Sequence, residues 1–397
     1  MNEDVKKSLT RLTTWLEKNG WAGYDPYDIK GHKWIIPVIK KGNKSYPFAI
    51  IREILFEFFY SFPVVSRKIL GIKPQINAKA MGLFAKAYLD LYISTKKAEF
   101  LTKSEECLSW LDNNNMSEKG MGWGYPFDWQ SQKLIPRFTP NGIVTTAAAD
   151  AYWGWYEFTG DPQYLKSCER ICVFLESLPV DHITEDQLCF SYTPLFQNHV
   201  HNLNLFVAEF LIKVGLKVEN KHWVDLGLKA TNYTLACQLN DGSFDYNGPP
   251  EKPAQFIDNY HTGFVLRMLH SIWKLTGKEK VYEALHKCYD HYINHFFEDK
   301  RIPWLMPARK YRLDIHSCAE SINCLSELSV TFPEGIDLAG NILTWTTANL
   351  QDKKGYFYYG INKSRFFKFT YVSKIPYIRW SQAWMLKGIS NYISNAE

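Results

Sequence analysis

An all-α ring of helical hairpins is the fold class this sequence predicts. Three observations predict it. Apolar stripes with helical period come in pairs, the pairs recur about every 60 residues, and the last, unpaired helix has a partner at the other end of the chain. The first helix of each pair is expected at about 75–95, 141–159, 200–217, 258–276, 316–331 and 380–395. Second helices follow at about 97–114, 161–177, 220–238, 278–296 and 334–350. Within a pair the turn is minimal, as in Thr159-Gly160-Asp161-Pro162 or Thr276-Gly277-Lys278. Between pairs the chain spends roughly 15 to 30 residues, and long structured connections of that kind usually carry function. All of them leave from the same end of the hairpins, so they gather on one face.

The segment 4–18 carries Val5, Leu9, Leu12 and Leu16 on one stripe and can pair with the sixth first-type helix, closing the ring. One domain over 1–397 is therefore expected, with 20–74 as an irregular lead-in inside it. The run Leu188-Cys189-Phe190-Ser191-Tyr192-Thr193 marks Thr184–Gln197 as a short extended hairpin on the loop face.

Composition narrows the function. Hydrophobic residues make up 46% of 397, and 14 Trp, 24 Tyr and 25 Phe are more than a helical core needs, so an aromatic-lined cleft is expected. A net charge of +5 with no basic run argues against nucleic acid as a partner. The eight Cys form no C-x-x-C and sit in apolar stripes, where a free thiol acts as a small hydrophobe. With charged residues directly after Met1 in place of a signal segment, a cytoplasmic location is expected. The most apolar stretch, Phe48 to Leu70, contains Arg52, Glu53, Glu57, Pro63 and Arg67. It reads as a helix lying on the domain or on a membrane surface, and not as a span.

Glycine-aromatic-acidic strings recur between the helices. Gly20 to Asp28 is one, and Gly122 to Trp129 is its closest relative; Asp241 to Tyr246 and Lys354 to Tyr359 are weaker ones. Glycines allow tight turns from which rings and carboxylates project, a combination suited to stacking on sugar faces and bridging hydroxyls. Trp123, Tyr125, Asp128 and Trp129 are the candidates here, with Tyr192 in the extended run.

The starts of the first-type helices are unusually polar: Asn77; Asn141; His201 with Asn202; Asp258, Tyr260 and His261; Asp314 and His316 with Glu320; Arg379 with Trp384. In a ring of antiparallel hairpins these six N-termini open on the long-loop face, with unpaired N–H groups and positive dipole ends. Asp258, Asn141 and Ser317 are ordinary capping types. Capping does not require His201, His261 and His316 near three such starts, which suggests a shared pocket. No H-E-x-x-H string supports a metal, and no cofactor is expected. Arg309, Lys310 and Arg312, then Arg365, Lys368, Lys374 and Arg379, precede the last two inner helices and suggest an anionic oligo- or polysaccharide.

The strings Asp258-Asn259-Tyr260-His261-Thr262-Gly263-Phe264 and Asp314-Ile315-His316-Ser317-Cys318-Ala319-Glu320 resemble segments of toroid proteins encoded among surface-polysaccharide biosynthesis genes. The hairpin joint in Asn141–Leu165 is similar to that of many (α/α)6, six-hairpin glycosidase-like sugar enzymes. The resemblance implies an (α/α)6 toroid and a glycan context, without a reaction.

Three functions compete. Hydrolysis of an acidic glycan needs two carboxyl groups, and Asp314 as acid with Asp128 or Asp258 leads, Glu320 being the fourth in the pool. Proton abstraction at C5 of a uronate, by an epimerase or lyase, would use Tyr260, His261, His316, Tyr192 and Arg379. A non-catalytic glycan-binding or assembly protein could use the same aromatic face. Terpenoid chemistry has no D-D-x-x-D string to support it.

Overall fold

Chain order in the computed structural model, which describes residues 3–131, 133–252, 254, 257–307, 309–364 and 368–396, follows the predicted alternation. The first helix is α1 (Glu3–Asn19). A lead-in of α2 (Ile35–Gly42), α3 (Tyr46–Ser61) and α4 (Pro63–Ile69) follows. Five hairpins come next: α5 (Ala78–Thr95) with α6 (Ala98–Asn113), α7 (Gly142–Thr159) with α8 (Pro162–Glu176), α9 (His201–Lys217) with α10 (Lys221–Ala236), α11 (Asn259–Thr276) with α12 (Glu279–His295), and α13 (Ile315–Leu328) with α14 (Glu334–Leu350). The last helix is α15 (Trp384–Ala396), entered through a π-helical turn at Ile378–Ala383.

The inner helices α5, α7, α9, α11, α13 and α15 pack each on the next, and α15 packs back on α5. Helix α1 lies against α14 and α15, with Ser8 Oγ bonded to Gln351 Oε1 at 2.9 Å. The fold is a closed (α/α)6 toroid. Sequence explains the two layers. Inner helices bury residues on nearly every side, polar ones included, because they are enclosed all round, whereas outer helices bury one stripe, such as Cys168, Ile171, Cys172 and Leu175 of α8. Gly160 and Gly277 end their helices at φ 68° and 63°, the left-handed conformation that lets the chain reverse within a residue or two. Gly82 permits α5 to approach α7 closely: a Cβ there would stand 2.5 Å from the Ala147 carbonyl oxygen.

Short strand pairs brace the loop face. The predicted hairpin is displaced toward the N-terminus: its strands are Val180–Thr184 and Gln187–Phe190. Ser191 N still donates to the Pro179 carbonyl at 2.8 Å, but the next amide, Tyr192 N, is taken by Asn198 Oδ1, which ends the ladder. Ala22 pairs with Ile76, fastening the lead-in to the ring, and α2–α4 cover a small satellite core of Ile29, Ile35 and Phe59. Among the described residues no helix is long and apolar enough to cross a membrane.

Candidate active site at the inner-helix starts

Capping residues organise the loop face. Asp258 caps α11: Oδ1 accepts from His261 N at 2.8 Å, and Oδ2 meets His261 Nδ1 at 2.7 Å. A proton held on Nδ1 leaves Nε2 as the basic nitrogen. Asp258 is fully buried, whereas 24% of the His261 side chain is exposed, so the dyad has a protected end and an open one.

Tyr260 bridges to a second histidine. Its ring centroid lies 4.4 Å from His261 and 4.7 Å from His316. His316 stacks on Trp380 at 4.3 Å and meets the edge of Trp384 at 4.9 Å. Trp380 Nε1 donates to Asp314 Oδ1 at 2.8 Å, the same oxygen accepts from His316 N at 2.9 Å, and Arg312 Nε stands 3.1 Å from Oδ2. Burial raises the Asp314 carboxyl above its ordinary range, against the opposing pull of Arg312 and the two hydrogen bonds. Burial, reinforced by the charges of Lys79 and Arg379, holds His316 well below the ordinary imidazole range and therefore neutral. Burial and the nearby Asp258 charge keep the Tyr260 phenol protonated.

Arg379, expected to receive an anion, already holds one from this chain. Its Nε and Nη2 bond to Asp25 at 2.5 and 2.8 Å, and its guanidinium lies 5.0–5.4 Å from the rings of Trp380, Tyr125 and Tyr27. Burial opposes that charge, but Asp25 outweighs it. Lys310 is likewise engaged, by Glu298 at 2.6 Å, and Arg365 lies outside the described residues. Around Arg379 the rings form a layer: Tyr125 on Trp129 at 5.4 Å, Trp129 on Tyr192 at 5.4 Å, and Trp129 on Tyr27 at 5.9 Å. Trp129 is partly exposed and can present an edge to a ligand. Trp123 lies beneath, fully buried, donating to the Leu111 carbonyl at 3.0 Å and stacked on Tyr152, so it acts as a pillar of the ring. Asn141 caps α7 by accepting from Val144 N at 3.1 Å.

The remaining candidates fall around this cluster. His201 packs behind it on Tyr233 at 5.5 Å, with burial pushing its imidazole down to about 4, and reaches His261 and Asp258 only through a small pocket shared with Asn202 and Tyr246. Glu320 sits one turn deeper on α13, opposite Gly263. Burial lifts its carboxyl to about 7 although Arg267 stands 3.5 Å away. Asp128 belongs to a different opening, a side cavity of about 390 Å³ that it lines with Asp25, Asp28, His32, Asn77 and Arg137. Asp128 Oδ1 there accepts from Arg137 N at 2.8 Å.

Sequence reasoning missed Lys79 and the partner role of Asp25. Asp25 lies in the first glycine-aromatic string, which was a usable signal; Lys79, in the first turn of α5, looks like a solvated lysine. Its ammonium lies 5.3 Å from Trp384 and 5.7 Å from Phe264, and burial brings it down to about 7. It caps a third space, an axial cavity of about 300 Å³ running from Lys79 and Ile143 in first turns to Glu157 and Glu327 in last turns.

No family model matches this sequence, and no curated protein does. Solved structures do match its fold. A heparin-specific unsaturated glucuronyl hydrolase superposes over 98% of this chain and 96% of its own, with TM-score 0.64 and 12% identity. A sugar epimerase from a ruminal bacterium covers 82% and 90%, with TM-score 0.62 and 12% identity. A GH76 alpha-mannanase from Bacteroides thetaiotaomicron covers 80% and 86%, with TM-score 0.60 and 14% identity. The chain therefore shares the (α/α)6 toroid of glycosidase-like proteins, and at these identities the likeness speaks for fold.

Proposed function

We propose that this protein is a carbohydrate-active enzyme that removes a carbon-bound proton beside the carboxylate or carbonyl of a sugar, an epimerase or lyase. The observation that carries this reading is the 2.7 Å contact between buried Asp258 and partly exposed His261. In this scheme the C–H bond breaks and its proton passes to His261 Nε2. The electron pair moves onto the adjacent carbonyl or carboxylate oxygen. Return of a proton to the opposite face completes epimerisation; expulsion of a β-alkoxide completes elimination. Tyr260, kept protonated, is the donor at hand, and His316 stays neutral beside it.

Hydrolysis by paired carboxylates has less to work with. Asp258 and Asp314 are 1% and 0% exposed and are both committed to helix capping and ring contacts, and Asp128 lines the side cavity. Neighbouring folds include both a sugar epimerase and hydrolases, the unsaturated glucuronyl hydrolase and the mannanase, so the likeness in fold does not choose between the reactions. Uronate-bearing oligosaccharides are the first substrates to try, because their C5 proton lies next to a carboxylate. Incubation in deuterated water separates the readings. Deuterium in intact sugar indicates epimerisation, absorbance of an unsaturated uronate indicates elimination, and new reducing ends without either indicate hydrolysis and overturn the proposal.

A further inference from the structure

The lead-in helices present an apolar surface outward. Of 22 large hydrophobic residues exposed among the described residues, eleven fall between Trp34 and Ile69. Along α3 and its C-cap they form a helical stripe, Ile51, Ile54, Phe58 and Phe62, while Leu55, Phe56 and Phe59 on the adjoining side pack into the satellite core. A surface helix of a water-soluble domain is polar on its outer face. This one is apolar on both, and the stripe continues onto α4 through Val65 and Ile69, which are 49% and 67% exposed. A contiguous patch of this kind marks an interaction surface.

Charge identifies the occupant. Residues 30–73 contain nine Lys and Arg against two Glu, an excess larger than the +5 of the whole chain. Lys33, Lys40, Lys41, Lys44, Lys68 and Lys73 are exposed around the stripe, and Arg67 is buried on Asp28 at 2.8 Å. Trp34 and Tyr46 of the same lead-in are 62% and 80% exposed, and amphipathic rings of this kind suit the boundary between hydrocarbon and water. Flat apolar helix faces with a lysine rim bind anionic bilayers in the interfacial plane. We propose that α3 and α4 seat this protein on an anionic lipid surface, the apolar stripe entering the headgroup–acyl boundary and the lysines meeting lipid phosphates. The same lead-in supplies His32, Lys33 and Leu70–Lys73 to the wall of the side cavity, so a seated protein holds that cavity near the headgroups. The inference does not depend on the reaction proposed above.

The test is flotation of the full chain with vesicles of phosphatidylcholine alone and with about one-third phosphatidylglycerol, with no sugar present. Binding to the anionic vesicles that weakens with salt is expected. The triple variant Lys40→Glu, Lys41→Glu, Lys44→Glu should weaken it at least a hundredfold, since each basic residue contributes about 1 kcal/mol at an anionic surface. Ile54→Glu with Phe58→Glu should abolish it, while the circular-dichroism melt stays that of the parent, because both side chains already face outward. Absence of parent binding to anionic vesicles overturns the proposal. So does a lipid-independent dimer that Ile54→Glu with Phe58→Glu dissolves, which would make the stripe a self-association face.

Discussion

The two ends of the ring differ in how they treat buried charge. At the short-turn end the axial cavity is lined by ion pairs: Lys387 stands 3.2 Å from Asp90 and 3.5 Å from Asp150, Lys213 is paired with Glu209, and Arg267 lies 2.6 Å from Glu327. Burial disfavours the Asp150 charge, but four surrounding cations overcome it. At the loop face rings are many, and besides the Arg379–Asp25 and Arg312–Asp314 pairs two carboxylates are spent on orienting imidazoles or an indole. The first arrangement neutralises charge and leaves little for a substrate to exploit. The second holds groups able to exchange protons against a partly open imidazole. Mutations at the two ends should therefore separate rate from stability.

The largest effect is expected at His261. His261→Gln should lower turnover on a verified substrate by roughly 10²- to 10⁴-fold, the range for loss of a general base, with an unchanged melting temperature. Arg267→Leu should do the reverse. It leaves Glu320 and Glu327 without their cation, and breaking a buried pair costs about 3–5 kcal/mol, read by chemical denaturation, with kcat preserved in the folded fraction. A large fall in kcat of folded Arg267→Leu would dissolve the distinction between the ends.

Lys79 lies between the two ends and gives a pH-dependent test. Its pKa is about 7 when folded, against 10.5 for an exposed lysine, so between these values the unfolded chain binds the extra proton and stability rises with pH. Below pH 7 the buried charge carries its full cost. Lys79→Met should stabilise the protein at pH 6 by about 2 kcal/mol, less than the whole shift because the variant also gives up the ammonium's contacts with Trp384 and Phe264. The gain should shrink toward pH 10. A gain independent of pH would mean Lys79 is hydrated. Glu320→Gln should show a smaller effect of opposite slope. The folded carboxyl binds its proton up to about 7 while the unfolded one releases it near 4.5, so parental stability falls with rising pH across that window and the variant's does not.

Much of the ring was legible because its signals are local. Apolar period located every hairpin, and Asn77, Asn141, Asp258 and Asp314 each accept a hydrogen bond from their own first helical turn. What stayed hidden depends on distant partners. Arg379 looked like a free cation because Asp25 lies 354 residues away in sequence, and Lys79 looked solvated because its burial comes from α11 and α15. Asp128 looked like a neighbour of Asp258 since both lie between hairpins, yet the loop that carries it faces the side cavity. The stretch carrying α3 was read as a helix lying on the domain or on a membrane surface, and the choice stayed open because sequence alone does not say which side of a helix meets the domain.

The central claim is that His261, oriented by Asp258, moves a carbon-bound proton of a sugar. Its most direct measurement is mass-spectrometric deuterium incorporation into uronate oligosaccharides in heavy water, comparing parent, His261→Gln and Asp258→Asn. The account predicts deuterium in intact sugar or an unsaturated uronate with the parent, neither with His261→Gln, and a strongly reduced rate with Asp258→Asn. Parent-level activity of His261→Gln in either readout, or cleavage to new reducing ends with neither deuterium on carbon nor an unsaturated uronate, would contradict it.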